Sequence, residues 1–324
     1  MIGGRKMSEV KSAKIVGDNI NERGTNTDLV DARMKKGKAI IVNTFALCNE
    51  IAMGCFSLHI QMLMYRAVYL SSVLFNCQSW TRLSQTDCKN LQMNQLKFLK
   101  RMMYAPNSTK NVSVFLELGI LPILHEINQR RLVFLYHVLL LPENEPVRRV
   151  YEEQLLLPFE ANWANEILQL RRYYNICQND HDIKQLSIHK WKKIVKSQVR
   201  EVAFEEMKKP AGEGKSKDAV YTDLRGQPYI YSLLPAEARA IFRVRTRTVS
   251  CKANHKQSYK IFTCRLCKIH QHEDQGHLVN CSTVRDGGVA IDAERVFTPN
   301  FEEDRDYVQT LVQRLSRADE LLHQ

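Results

Sequence analysis

Four residues of the kind that bind metal ions fall within eighteen positions: Cys264 and Cys267, two residues apart, then His277 and Cys281, three apart. A two-residue gap lets both sulfurs reach one ion from a single tight turn. A histidine and a cysteine at i and i+4 can then close a tetrahedron from the first turn of a helix. Three thiolates and one imidazole filling all four positions describe structural Zn2+ better than catalytic zinc, which keeps one position for water. The alternative is four unrelated residues, since the chain holds nine cysteines and ten histidines. His270 and His272 compete with His277, but the loop from Cys267 to either is tight and neither is followed by a cysteine at the right reach. Cys251 reads as a buried thiol.

The stretch leading into this cluster is basic. Arg239, Arg243, Arg245, Arg247, Lys252, Lys256, Lys260, Arg265 and Lys268 stand there with no Asp or Glu between the first and the last. A metal-bound turn has little core of its own, so the ion would fix a short loop whose basic flanks can meet phosphates. Tyr259 interleaves with these charges and could stack on an unpaired base or fill the small core; Phe262, beside the first cysteine, reads as core. The net charge of +12 favours RNA and/or DNA as partner over an acidic membrane, the bland alternative being a solvated basic surface.

Arrangements that would carry catalysis fail on spacing. His272-Glu-Asp-Gln-Gly-His277 has one residue too many for two imidazoles to share a helix face. Gly212-Glu-Gly-Lys-Ser216 ends like a phosphate-binding loop, but Lys209 stands where its first glycine would be and no apolar strand precedes it. His125-Glu126 lacks a second ligand. No adjacent Asp-Asp pair exists to hold two metals for phosphoryl transfer. The residues define no active site and no small-molecule substrate.

These side chains need a scaffold, and the apolar periodicity predicts a mainly α fold: a helical thumb-like bundle, then a small zinc-knuckle unit with a flanking basic helix and a C-terminal helix. Residues 1–27 read as a polar segment with one strand near Ala13–Gly17. Residues 28–145 read as the bundle, with a short helix ending at Lys35–Lys38 and further helices over about 40–53 and 56–77. Ser84 or Thr86 caps the next helix, Asn111 caps a short one closed by Gly119, and Pro122 opens another that stops before Pro142. Residues 146–220 read as a charged helical extension with a basic face, followed by a linker. Residues 221–324 carry the basic helix, the knuckle and a last helix over about 304–322. The basic helix is expected to start at Pro235, run to about Thr248 and align Arg239, Arg243 and Arg247.

An odd cysteine total and no signal peptide argue against a disulfide framework and for an intracellular, reducing compartment, nucleus or cytoplasm. The most apolar region, Phe45 to Phe75, is interrupted by Glu50, His59, Gln61 and Arg66, so it reads as core helices and not as a membrane span. A protein partner could dock on the bundle between Phe45 and Leu141, with the knuckle as a staple.

Taken together, these motifs resemble the C-terminal region of non-LTR (LINE-type) retrotransposon reverse transcriptases. Asn21–Arg33 looks like the segment entering the thumb. Ala67–Trp80 is similar to the thumb helix ending in Tyr-Gly-x-x-x-Trp, with Phe75-Asn76 in place of Tyr-Gly. Ala105–Thr109, Leu116–Ile123 and Arg130-Arg-Leu132 match the helices that follow. Ile241–Arg247, Lys252-Ala-Asn254 and Cys264–Cys281 resemble the basic helix and zinc motif. The resemblance implies a thumb that grips a primer–template duplex, then a nucleic-acid-binding knuckle. The family's fingers and palm, with the Tyr/Phe-x-Asp-Asp motif, would lie upstream of residue 1, which implies a truncated remnant without polymerase activity of its own.

Overall fold

In a computed structural model the chain is mainly α-helical. The structure describes residues 12–15, 18–21, 26–50, 58–81, 83–157, 162–176, 179–211, 221–255, 263–269, 272–298 and 300–323. An antiparallel hairpin of β1 (Ser12–Ile15) and β2 (Asp18–Asn21) comes first, where one strand was expected. Helix α1 (Thr27–Glu50) follows, and α2 (Leu58–Met64) continues through a π-helical turn, Tyr65–Leu70, into α3 (Ser71–Val73). Next come α4 (Gln85–Met102), α5 (Asn111–Leu118), α6 (Ile123–Leu140), α7 (Pro146–Leu155) and α8 (Trp163–Tyr173). Then come α9 (Asp180–Lys184), α10 (Ile188–Ala211), α11 (Tyr229–Ser232) and α12 (Pro235–Arg245). The chain closes with α13 (Gln275–Asn280), α14 (Ser282–Arg285) and α15 (Arg305–His323).

Several boundaries differ from the sequence reading for local reasons. Helix α1 does not stop at the basic cluster but runs through Gly37. A Cβ at Gly37 would meet Asn94 Oδ1 at 2.7 Å and Val73 Cγ2 at 3.0 Å, so the glycine permits a close approach instead of breaking the helix. Ser84 is the cap of α4: its Oγ accepts from the Asp87 amide at 3.0 Å, and Asp87 Oδ2 accepts from the Ser84 amide at 3.3 Å, a reciprocal capping pair. Asn111 is already inside α5, whose N-cap position is Lys110, without a side-chain cap bond. Gly119 ends α5 as expected, at φ 63°, and any side chain there would collide with the Arg225 carbonyl carbon at 2.3 Å.

The chain forms two compact units. The first comprises Met1–Phe45, Met64–Gln95 and Leu121–Ala203. Its interior holds Tyr65, Tyr69, Leu91, Ile127, Leu132, Leu135, Trp191, Val195 and Val199, all buried. Gln95 ties its helices together: Nε2 donates to Tyr65 Oη at 2.7 Å and to the Leu121 carbonyl at 2.9 Å, while Oε1 accepts from the Ile123 amide at 2.8 Å. The buried indoles of Trp163 and Trp191 donate to the carbonyls of Gln78 and Leu132, at 2.8 and 3.0 Å.

The second unit comprises Ala46–Leu63, Leu96–Ile120 and Phe204–Gln324. Its centre is Glu117, fully buried on α5. The carboxylate accepts from Tyr221 Oη and Tyr229 Oη, both at 2.8 Å, and from Arg245 Nε at 3.0 Å. Burial first, then the adjacent carboxylate, pushes both phenols well above their ordinary pKa, so they remain donors. Helix α15 lies against α12, α13 and α14 through Val308, Leu311 and Leu315, as expected of a helix that packs on the metal-cluster region.

Candidate metal centre

The four ligand atoms predicted from spacing converge. One atom each from Cys264, Cys267, His277 and Cys281 lies within 4.8 Å of every other, so this Cys3His group could hold a metal ion. Cys264 and Cys267 flank a tight turn that ends with Lys268 in the left-handed region at φ 61°. His277 sits in α13, started by Asp274, whose Oδ1 accepts from the His277 amide at 2.7 Å. Leu278 and Val279 are buried and fix that helix, which ends just before Cys281.

The separations decide what fits. A tetrahedral cation with metal–sulfur bonds of about 2.3 Å and a metal–nitrogen bond of about 2.0 Å sets its sulfurs ~3.8 Å apart and a sulfur and nitrogen ~3.5 Å apart. Cys264 Sγ and Cys281 Sγ are 3.9 Å apart, and Cys267 Sγ is 3.6 Å from His277 Nε2. Burial pushes the Cys264 thiol up to about 11. Cys267 responds oppositely: against desolvation, hydrogen bonds from the Ile269 amide and the neighbouring cysteines hold it below the usual thiol range. Cys251 is buried outside the cluster, its thiol raised to about 11 chiefly by desolvation.

Glu273, whose side chain is fully buried, holds the metal turn from behind. Its carboxylate accepts from Arg265 Nε at 2.9 Å, Arg265 Nη2 at 2.7 Å, the Arg265 amide at 2.6 Å and the Lys252 amide at 3.1 Å. Burial alone would raise this carboxyl, but the hydrogen bonds and charge of Arg265 hold it below its ordinary value. In the sequence Glu273 stands out only as part of His272-Glu-Asp-Gln-Gly-His277, whose spacing fails for paired imidazoles. The available signal was its pairing with Arg265, the one charged residue between the first two cysteines.

The basic residues do not form one row. Arg239 is buried, its Nε donating to the Met102 carbonyl at 3.0 Å and its guanidinium 3.9 Å from the Tyr104 ring centroid. Arg245 is buried on Glu117, with Nη2 also donating to Gln227 Oε1 at 3.0 Å. Arg243 pairs with Asp319 at 2.7 Å and Arg247 with Glu294 at 2.5 Å. Helix α12 ends at Arg245 and Arg247 lies beyond it at φ 55°, so the expected alignment of Arg239, Arg243 and Arg247 on one helix does not occur. Lys252 Nζ donates to the Thr263 carbonyl at 2.7 Å, and Arg265 is committed to Glu273. Lys268 is exposed. Lys256, Tyr259 and Lys260 lie outside the described residues.

Exposed positive charge is found instead on α10. Lys190, Lys192, Lys193 and Lys196 are exposed there, and no acidic residue occurs between Ile188 and Arg200. Lys192 and Lys196 border a groove of about 450 Å3 together with Arg130, His137 and Glu126.

Comparison of the chain with protein-family models, curated proteins and solved structures gave no match. Among the described residues no helix is long and apolar enough to cross a membrane.

Proposed function

We propose that the chain is a zinc-dependent RNA- or DNA-binding protein without catalytic activity of its own, akin to the thumb and zinc-knuckle region of non-LTR reverse transcriptases. The observation that carries this reading is the Cys264–Cys267–His277–Cys281 group, whose ligand atoms all lie within 4.8 Å of one another, with the Cys264–Cys281 sulfur–sulfur and Cys267–His277 sulfur–nitrogen separations close to those of a tetrahedral ion. Three thiolates and an imidazole select zinc among the common divalent ions, and four protein ligands make it structural. The ion would fix the turn and α13, neutralise ligand charge and leave the chemistry to whatever the chain binds. Asn76 also supports the resemblance: it stands where that family has glycine and adopts the left-handed backbone, at φ 57°, that a glycine supplies freely. No Tyr/Phe-x-Asp-Asp motif occurs in the sequence, which supports a non-catalytic role.

The phosphate contacts are assigned to exposed charge, namely Lys268 near the metal turn and Lys190, Lys192, Lys193 and Lys196 on α10. Arg239 and Arg245 are structural in this reading, because a guanidinium committed inside the fold has little left to offer a phosphate. Binding measured by fluorescence anisotropy on a labelled single-stranded RNA should weaken steeply between about 50 and 200 mM salt. Replacing Lys192 and Lys196 together with alanine should reduce both affinity and salt slope. Flat salt dependence, or unchanged binding by the double variant, contradicts the reading. A second reading, a helical protein-interaction module with a zinc staple, draws on the exposed Val147 and Val150 of α7, which border an apolar groove with Phe134 and Pro146. It predicts a tight protein partner and no salt-dependent RNA binding.

A further inference from the structure

The exposed charge on the first half of α10 does not stand over a flat surface. Lys192 and Lys196 border an open groove of about 450 Å3, and α6 contributes Val133, Phe134 and His137 to its lining. The two helices are tied together at this point, because the buried Trp191 donates its indole N–H to the Leu132 carbonyl at 3.0 Å. Trp191 directly precedes Lys192 and Leu132 directly precedes Val133, so one buried contact sets the cationic rim beside the apolar wall. Val133, Phe134 and His137 share a face of α6 at helical spacing; the first two are half-buried and His137 is exposed. Glu126, an acid in the lining, is paired with Arg130 at 3.5 Å, which offsets its charge.

An ammonium rim next to aromatic rings asks for a ligand with negative charge and an uncovered flat apolar face. A nucleic-acid duplex supplies the charge but keeps its base faces inside the stack. A single strand supplies both, since its phosphates lie outside while an unpaired base can stack on an aromatic side chain. Lys192 and Lys196 stand at i and i+4, with Cβ atoms about 5–6 Å apart, so both can reach phosphates of one strand. The volume lies within the range of about 300–1,000 Å3 usual for small-molecule sites, which leaves room for a nucleoside. An acidic peptide fits less well: exposed ammonium–carboxylate pairs contribute little, whereas phosphate binding also gains from released counterions. We propose that this groove takes single-stranded nucleic acid, with an unpaired base against Phe134 and His137 and the flanking phosphates on Lys192 and Lys196. The proposal rests on the nucleic-acid reading above and narrows it to strands with unpaired bases.

The test compares three fluorescein-labelled probes of about twelve nucleotides on the full chain: a single strand, its duplex, and an abasic strand with the same phosphates. The duplex carries the denser charge, so electrostatics alone would favour it. The single strand is expected to bind about tenfold more tightly than either the duplex or the abasic strand, the latter through lost stacking. Phe134→Leu should weaken the single strand about fivefold and leave the abasic strand unchanged. Should that variant fail to fold, photo-crosslinking of a 5-bromouridine strand to the unmodified chain places the base, with crosslinks expected within residues 132–148. Equal binding of the single and abasic strands, tighter binding of the duplex, or crosslinks confined to other segments overturns the groove proposal and leaves the nucleic-acid reading standing. No salt-dependent binding of any probe, with binding of an acidic peptide instead, overturns both.

Discussion

Helices α10 and α12 are both rich in basic residues, yet they use that charge in opposite ways. On α12, Arg239 and Arg245 are buried against a carbonyl, a tyrosine ring and the Glu117 carboxylate, and Arg243 pairs with Asp319. On the first half of α10 the lysines are exposed, while Trp191, Val195 and Val199 face the interior. The difference lies partly in side-chain chemistry. A guanidinium keeps its charge when buried and can satisfy several acceptors from one planar fork, whereas an ammonium is strongly hydrated and costs more to bury. Basic density along a sequence therefore mixes charge that builds the fold with charge that can meet a partner.

The comparison can be broken by substitution. Arg245→Leu should have the largest effect on stability, because it leaves the fully buried Glu117 carboxylate without its cation; breaking a buried pair costs roughly 3–5 kcal/mol. Urea unfolding reads it, and a loss under about 1 kcal/mol would show that Tyr221 and Tyr229 suffice. Glu273→Gln should come next. It weakens the hold on Arg265 behind the metal turn and should lower metal affinity by roughly 10–100-fold, measured by competition with a chromophoric chelator. Unchanged affinity would reduce Glu273 to a fold contact. Arg243→Ala should cost no more than about 1 kcal/mol, since the Asp319 pair is about a quarter exposed and screened by solvent. Lys192→Ala with Lys196→Ala should change stability least, within about 0.5 kcal/mol. A large loss there would erase the contrast between the two helices.

How much of this was legible in the sequence depends on the kind of interaction. Local signals carried the helical class, the Ser84 cap, the Gly119 terminator and the convergence of the four Cys and His positions, all of which rest on neighbours within a turn or a short loop, while the Asn111 cap did not form. The continuation of α1 through Lys35–Lys38 is not legible locally, because what Gly37 permits is a close approach to Asn94 and Val73, far along the chain. Arg245 was read as surface charge because its partner Glu117 lies 128 positions away in an apolar helix, where a lone acid gives no sign of being an anchor. A unit assembled from three separated segments likewise has no counterpart in composition read along the chain.

Metal analysis of the purified chain tests the proposed four-ligand zinc most directly. Inductively coupled plasma mass spectrometry should find one zinc per chain, lost in Cys264→Ser. Cobalt replacing the zinc should give the intense visible absorption of a tetrahedral thiolate site. Zinc well below one per chain after purification without chelator, or a content unchanged by Cys264→Ser, would contradict the account.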